Sequence, residues 1–290
     1  MKHPAVFPFF FVMLSFFSCS SDENSNELSP PLVAEVREGV SYGSDDQQVY
    51  DIYLPEGRSS NTTKVVILVH GGGWTGGDKA GMANFVSLIQ TEHPDHAIVN
   101  MNYVLATSSV AAFPNQFLDV GRVIDQLTSR EEELQILPEF GLIGVSAGAH
   151  ISLMYDYVYD TDDQVKMVCD IVGPTDFTDP FYADNPNFDL LLAVLVDESA
   201  YPNGTNFAEA TSPALQVSSA GSPSILFYGN QDPLVPLTNG ERLNVALTNA
   251  QIAHAFTVYE GGHGNDWSEA SYEDMQVQIS GFIDTYLEML

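Results

Sequence analysis

Short apolar runs recur along this chain, and segments with helical periodicity separate several of them. Each run is four or five residues long, and together they cover Val65–Val69, Ala97–Met101, 141–145, 168–172, 225–228 and 256–259. A nearly continuous apolar run of this length is typical of a central strand that is buried on both faces. The alternation therefore predicts an α/β fold whose mostly parallel sheet is covered by helices on both faces.

Two amphipathic helices are predicted from apolar residues spaced three or four positions apart. The first would connect two parallel strands, and its apolar face consists of Phe117, Val120, Ile124 and Leu127. The second would close the chain, and its apolar face consists of Met275, Ile279, Phe282, Ile283 and Tyr286.

Residues 176–212 follow neither the strand period nor the helix period. The segment is rich in Asp, Asn, Pro and aromatic residues. We expect it to be a small lid-like insertion over the carboxyl edge of the sheet, where substrates bind in open α/β folds.

The first 19 residues have the layout of an export signal, with a basic start followed by an apolar run from Ala5 to Phe17. That run is shorter than the roughly 20 residues that a membrane-spanning helix needs. The segment resembles a bacterial lipoprotein signal, which implies lipidation at Cys19 as the only membrane contact. Ordinary signal cleavage is the alternative, since Phe16 and Phe17 depart from the usual lipobox. Either way the protein is expected to be exported, and a lipoprotein would be anchored at the cell surface or facing the periplasm.

A flexible acidic tether is predicted over residues 20–34, because this stretch is polar and has no periodicity. The remaining residues, 35–290, are expected to form a single catalytic domain. In that domain Cys169 is the only cysteine, so an intrachain disulfide is excluded there. Its apolar surroundings indicate a packing role.

Charge excludes one class of partner. The chain has 39 acidic and 9 basic residues, for a net charge of −30 at pH 7. A surface of this sign repels phosphate backbones, so a nucleic-acid partner is not expected. Composition does not predict the oligomeric state.

The sequence Gly-Val-Ser-Ala-Gly at 144–148 stands between a predicted strand and a predicted helix. This context is typical of a nucleophile elbow, in which a tight turn exposes a serine hydroxyl at a helix N-terminus. We therefore expect Ser146 to be a nucleophile.

A second glycine-containing loop, His-Gly-Gly-Gly-Trp at 70–74, follows the strand Val65–Val69. Consecutive glycines allow backbone amides to point into a cavity and stabilise an oxyanion. We predict that the oxyanion donors are the amides of Gly72, Gly73 and Ala147, with Trp74 as the alternative to Gly72.

A serine nucleophile needs a base that is held by a third group. Asp232 and His263 each come just after a predicted strand, so both are expected at the same sheet edge as Ser146. Asp176 also follows a strand and is a second candidate for the acid.

The other histidines are assigned different roles. His70 and His254 are predicted to be structural, and His150, four residues beyond Ser146, is expected to lie behind the nucleophile. His93 and His96 are expected to be solvated near a helix end. No His-x-x-x-His pair or Cys cluster indicates a metal site.

From about Glu35 onward the chain resembles the esterase and lipase branch of the α/β-hydrolases, close to the hormone-sensitive-lipase-like and the feruloyl or acetyl-xylan esterase-like groups. The matching pieces are the segments 70–74, 102–105, 113–114, 144–148 and 212–213, and those around Asp232 and His263. The resemblance implies an α/β-hydrolase fold of about eight strands with a small lid. Its chain order of nucleophile, acid and base favours Asp232 over Asp176.

The resemblance also implies a serine carboxyl-ester hydrolase that works through an acyl-enzyme and needs no cofactor. Its substrate would be a small-molecule or glycan-linked ester, with acetyl or feruloyl groups of polysaccharides as candidates. Val104 and Ala149 stand where family members often have Arg and Gly, so the subfamily stays open. An arylformamidase or peptidase-type amide hydrolase with the same triad is an alternative, as is a non-catalytic surface binding protein.

Overall fold

The computed structural model describes residues 32–289, in which eight strands form a single sheet. Their spatial order is β1-β2-β4-β3-β5-β6-β7-β8. Strand β2 pairs antiparallel with both β1 and β4, and every pairing from β4 across to β8 is parallel. The strands are β1 (Glu35–Ser41), β2 (Val49–Leu54), β3 (Val65–Val69), β4 (Ala97–Met101), β5 (Phe140–Val145), β6 (Val165–Ile171), β7 (Ser224–Gly229) and β8 (His254–Tyr259).

Within the same described residues, ten α-helices accompany the sheet. They are α1 (Ala83–Glu92), α2 (Asn115–Ser129), α3 (Glu131–Leu134), α4 (Ala147–Met154), α5 (Pro180–Ala183), α6 (Phe188–Leu195), α7 (Phe207–Ala210), α8 (Pro213–Gln216), α9 (Leu237–Ala250) and α10 (Glu269–Tyr286). Helix α4 continues into a π-helical turn, and short 3₁₀ segments span Lys79–Met82 and Glu198–Ala200. The two helices predicted from periodicity are α2 and α10.

Strand β3 contributes side chains to two separate hydrophobic clusters, one on each face of the sheet. Val65, Ile67 and Val69 lie in the cluster that also holds the apolar face of α2. Val66 and Leu68 lie in the cluster that holds Ile279 and Ile283 of α10, together with residues of α1. Burial on both faces explains why the strand is apolar at every position. The predicted fold is therefore confirmed.

Two histidines predicted to be solvated are buried, so that prediction is wrong. His93 and His96 follow α1, and each is less than one-tenth exposed. The C-terminal region covers them, because the Nε2 atom of His96 lies 2.9 Å from the Leu287 carbonyl and that of His93 lies 2.9 Å from the Ser280 hydroxyl. Their burial lowers the pKa of both imidazoles.

The role predicted for Cys169 is confirmed. The side chain is fully buried within β6, and its thiol is free. Burial raises its pKa well above the usual thiol range, which leaves it unreactive.

The insertion at 176–212 contains α5, α6, one 3₁₀ turn and α7, so it is more helical than its pattern predicted. It contacts the segments that follow two strands, β4 and β7. The Phe113 amide donates to the Leu195 carbonyl at 2.8 Å, and the Tyr182 hydroxyl donates to the Leu234 carbonyl at 3.4 Å. These contacts place it beside the edge where the candidate site lies, and its behaviour as a lid stays a prediction.

The export signal, Cys19 and most of the tether lie outside the described residues, so lipidation and export also stay predictions. None of the helices found between residues 32 and 289 combines the length and apolarity needed to cross a bilayer.

Candidate active site

Ser146 occupies the sharp turn between β5 and α4. Its backbone has φ 55° and ψ −120°, in a region that residues with a side chain rarely adopt. The turn is held by a hydrogen bond of 2.8 Å from the Ser146 amide to the Ile171 carbonyl at the end of β6. Such strain persists only where surrounding contacts enforce it, and here it exposes the hydroxyl above the sheet edge.

The glycines on either side of Ser146 are required by close backbone contacts. A Cβ atom on Gly144 would lie 2.4 Å from the Ala149 nitrogen, and one on Gly148 would lie 2.1 Å from the Val69 carbonyl oxygen. Both neighbours are backbone atoms within regular elements, so neither can move aside cheaply. The motif therefore sets how closely α4 approaches β3.

We expect Gly148→Ala to lower the free energy of unfolding by about 3 kcal/mol, because the added methyl overlaps backbone. Gly281→Ala is the matched control, since Gly281 is an exposed helical glycine with open space around its Cβ position. That change should raise stability by about 0.5–1 kcal/mol through helix propensity alone. Urea unfolding measures both, and equal effects of the two substitutions would contradict the packing argument.

A chain of hydrogen bonds connects Ser146, His263 and Asp232. The Nε2 atom of His263 lies 2.8 Å from the Ser146 hydroxyl, and its Nδ1 atom lies 2.6 Å from an Asp232 carboxylate oxygen. Because an ionised carboxylate only accepts, Nδ1 carries the proton and Nε2 is free to accept from the serine. The structure thus brings together the three side chains predicted from strand ends.

Burial differs along this chain of hydrogen bonds. The Asp232 side chain is 0% exposed, whereas that of His263 is 19% exposed. The second Asp232 oxygen accepts hydrogen bonds from the Leu234 and Val235 amides at 2.8 and 3.0 Å. The carboxylate is therefore shielded and fixed in orientation, while the imidazole keeps access to a reacting group.

Asp176, the alternative acid, lies in a different cluster. Its carboxylate pairs with Arg242 at 2.6 Å and accepts from the amide and hydroxyl of Thr178. It therefore connects the insertion to α9, whereas Asp232 is bonded to the His263 imidazole.

Trp267 supports the loop that carries His263. This supporting role was not predicted from the sequence. Its indole N–H donates to the Gly262 carbonyl at 3.0 Å, and the Tyr272 hydroxyl donates to the Gly264 carbonyl. The Gly262 amide in turn donates to Asp266 at 2.7 Å. The signal in the sequence was one of only two tryptophans, placed four residues beyond the candidate base.

The predicted oxyanion amides have no competing acceptor. Within residues 32–289, none of the hydrogen bonds found uses the amide of Gly72, Gly73, Trp74 or Ala147 as a donor. Residues 72–74 all have positive φ angles, and the Ala147 amide is the first of α4. These amides are thus not committed to another acceptor in the described residues. Their role as oxyanion donors, and the choice between Gly72 and Trp74, stay predictions.

Gln116 fixes the far end of the same loop and was also missed. It is completely buried in α2, and its side-chain amide donates to the carbonyls of Trp74 and Val104 at 2.8 Å each. The signal was a polar residue next to Phe117, at the start of the mostly apolar buried face of α2.

The other histidines have structural contacts. His70 stacks on Tyr103 with ring centroids 4.3 Å apart, and His254 bonds to the Ile252 carbonyl at 2.7 Å. His150 is fully buried in α4 and contacts Trp74. Among residues 32–289, no group of three or more His, Cys, Asp or Glu side chains is arranged to hold a metal ion.

Comparison with known proteins gives a family match. The model of the family BD-FAE matches residues 50–247, which is more than half of the chain. The chain belongs to the BD-FAE family. This match covers β2 through most of α9, and therefore includes Ser146, the 70–74 loop and Asp232.

Relatives of this BD-FAE chain include esterase LipC of Mycobacterium tuberculosis, which is 25% identical over 264 residues. That alignment covers 83% of this chain and 64% of LipC, so the chain spans less than two thirds of this relative's length.

Solved structures show the same fold. A truncated carbohydrate esterase from gut microbiota superposes with a TM-score of 0.71 at 21% identity, covering 87% of this chain and 97% of its own. A thermophilic esterase from Thermogutta terrifontis, with propionate bound, gives 0.70 at 18% identity, covering 88% and 95%. The expected α/β-hydrolase fold and the resemblance to its esterase branch are confirmed.

Proposed function

We propose that this protein is a serine esterase that hydrolyses carboxylic esters through an acyl-enzyme intermediate on Ser146. The observation that carries the proposal is the continuous path of hydrogen bonds from the Ser146 hydroxyl through His263 to the buried Asp232 carboxylate. The family match and the esterase names of its relatives support the same reaction class.

Acylation begins when the Ser146 oxygen attacks the ester carbonyl carbon while its proton passes to Nε2 of His263. The carbonyl oxygen gains negative charge, and amides of the 72–74 loop and Ala147 stabilise it. The intermediate then collapses. The bond to the alcohol oxygen breaks, and His263 gives its proton to the departing alcohol.

Deacylation repeats these steps with water. His263 takes a proton from water as the water oxygen attacks the acyl carbon, and the Ser146 oxygen leaves with that proton. The carboxylic acid is released and the free serine is restored. Asp232 holds the neutral His263 imidazole in the tautomer with its proton on Nδ1. It also stabilises the imidazolium that forms twice in each cycle.

The alcohol part of the substrate is proposed to be a carbohydrate, with acetyl or feruloyl as the acyl group. Two likenesses support this. One structural neighbour is a carbohydrate esterase, which favours a carbohydrate alcohol, and another is a propionate-bound esterase, which favours a short acyl group. The net charge of −30 favours neutral esters over anionic ones, since the long-range field repels negative ligands.

A substrate panel tests the proposed reaction. Purified protein is assayed on p-nitrophenyl acetate, butyrate and octanoate, on methyl ferulate and acetylated xylan, and on formyl-kynurenine and a peptide p-nitroanilide. We expect kcat/KM for the short esters to exceed that for both amides, because alcohols are better leaving groups than amines. Faster cleavage of an amide would favour the arylformamidase or peptidase alternative. Failure on every substrate would favour the binding protein.

A further inference from the structure

The backbone of Trp74 is strained and must be held in place. This residue ends the glycine loop with φ 63°, in the left-handed region that a tryptophan rarely adopts. Its carbonyl accepts hydrogen bonds from the Ala106 amide at 2.9 Å and from Gln116 at 2.8 Å. Its indole N–H donates to Nδ1 of His150 at 3.2 Å. Both ends of the residue are therefore anchored to other segments.

His150 bridges two segments that are distant in the sequence. It lies on α4, one turn beyond Ser146, and its side chain is completely buried. Its Nε2 atom lies 2.8 Å from the Thr211 carbonyl at the end of the insertion, while Nδ1 faces Trp74. Helix α4, the 70–74 loop and the insertion thus meet at one imidazole ring.

The partners of His150 determine where its proton lies. A backbone carbonyl can only accept, so Nε2 must carry the proton and donate to Thr211. An indole N–H can only donate, so Nδ1 must be unprotonated. One neutral tautomer satisfies both bonds, and burial, which lowers the pKa of His150 to about 4, keeps the ring neutral in the folded protein.

Aromatic packing fixes the orientation of this ring. Centroids of the surrounding rings lie 5.0 to 5.5 Å away, and these rings belong to Trp74, Phe113, Phe117 and Phe177. Trp74 also contacts Phe113 and Phe177 edge-on. Because the ring is confined in this way, the position of α4 constrains the position of the 70–74 loop.

We propose that His150 is a positioning residue that, through Trp74, sets the oxyanion amides at a fixed place relative to Ser146. The amides come from two separate segments, the loop after β3 and the start of α4, and the bond from Trp74 to His150 connects them directly. This inference rests on the proposed esterase function, because an oxyanion is what the amides would bind. Misplacing preorganised donors by a fraction of an ångström weakens them mainly toward the transition state.

Two aromatic substitutions break the bridge. Trp74→Phe keeps an aromatic ring but removes the indole donor, and His150→Phe keeps a ring of similar size but removes both hydrogen bonds. His96→Phe is the matched control, since His96 is also buried and bonds to a backbone carbonyl far along the chain, but lies outside the site. All three should lower Tm by loss of a buried hydrogen bond.

Steady-state kinetics on p-nitrophenyl butyrate separate positioning from packing. We expect Trp74→Phe and His150→Phe each to lower kcat by about ten- to a hundredfold with KM changed by less than about threefold, as for an interaction made in the transition state. The double variant should fall little further than the worse single one, because both changes break one bridge. The control should keep kcat within about twofold. If both site variants also keep kcat within twofold while losing Tm, the inference is overturned.

An NMR experiment tests the bridge independently of activity. The chain has two tryptophans, so two indole N–H signals are expected, and the one lost in Trp74→Phe is that of Trp74. His150→Phe should shift this signal and speed its hydrogen exchange, whereas His96→Phe should leave it in place. An unmoved signal in His150→Phe would overturn the bridge. A shifted signal in a protein that hydrolyses no ester would instead refute the proposed function and leave the bridge intact.

Discussion

Replacing Ser146 by alanine is expected to lower kcat/KM for p-nitrophenyl butyrate by about 10⁴- to 10⁶-fold. Without the hydroxyl the proposed acyl-enzyme cannot form, and only substrate binding and the proposed oxyanion amides are left to assist direct attack by water. Within residues 32–289 the one hydrogen bond found for the Ser146 side chain is with His263, so the fold should survive. Initial rates at saturating and limiting substrate, with circular dichroism to verify folding, measure the effect.

Ser152→Ala is the control for this substitution. Ser152 lies on the same helix α4, is fully buried and donates to the Gly148 carbonyl at 2.8 Å, but it does not contact His263. We expect its activity to stay within about threefold of the unmodified protein. If Ser146→Ala keeps more than a tenth of the activity, Ser146 is not the nucleophile.

Asp232→Asn should lower kcat by about 10⁴-fold, which is the cost of holding the base in the wrong tautomer. The Asn oxygen would stay on the Leu234 and Val235 amides, which now bind one Asp232 oxygen. The new NH₂ group would then face Nδ1 of His263 and force that nitrogen to accept. The proton would move to Nε2, where it blocks acceptance from Ser146.

Asp176→Asn distinguishes the two candidate acids. Its carboxylate is 3% exposed and pairs with Arg242, so the change should lower Tm while kcat stays within about threefold. A loss of activity as large as that of Asp232→Asn would show that the acid had been assigned to the wrong strand end. Measuring kcat and Tm for both variants decides between them.

The central strands could be predicted from the sequence because burial on both faces makes them apolar at every position. Strands β3 and β4 have the bounds that their apolar runs predicted. The two N-terminal strands, β1 at the sheet edge and β2 beside it, lack this signal. Strand β2 has Asp51 at its middle, and the structure satisfies that carboxylate with Lys79 at 2.5 Å and the Gly39 amide at 2.8 Å. Asp51 is therefore tolerated in the middle of β2 because groups outside the strand bind its carboxylate.

Helix α6 was not predicted, because it has too many apolar residues rather than too few. Seven of its eight residues are apolar, so no period is visible in FDLLLAVL. In the structure Phe188, Leu192 and Leu195 are buried, while Leu190 and Val194 are more than half exposed. A helical period describes the buried positions, but hydrophobicity alone could not separate them from the exposed ones.

At the site, strand ends and chain order predicted which side chains converge, but not what supports them. Ser146, Asp232 and His263 each follow a parallel strand, so the topology brings them to one edge. The partners of His150 lie 76 residues before it and 61 residues after it, at Trp74 and Thr211. Contacts between loops so far apart have no periodic signature, and the same holds for the C-terminal residues that bury His93 and His96.

Intact-mass spectrometry after treatment with a fluorophosphonate tests the central claim most directly, because the reagent bonds to an activated serine oxygen. We predict one adduct per chain, located by peptide mapping at Ser146, appearing in step with the loss of ester hydrolysis. The adduct should be absent from Ser146→Ala and form far more slowly in Asp232→Asn. Ester hydrolysis that persists in unlabelled protein, or equal labelling of Ser146→Ala, would contradict the account.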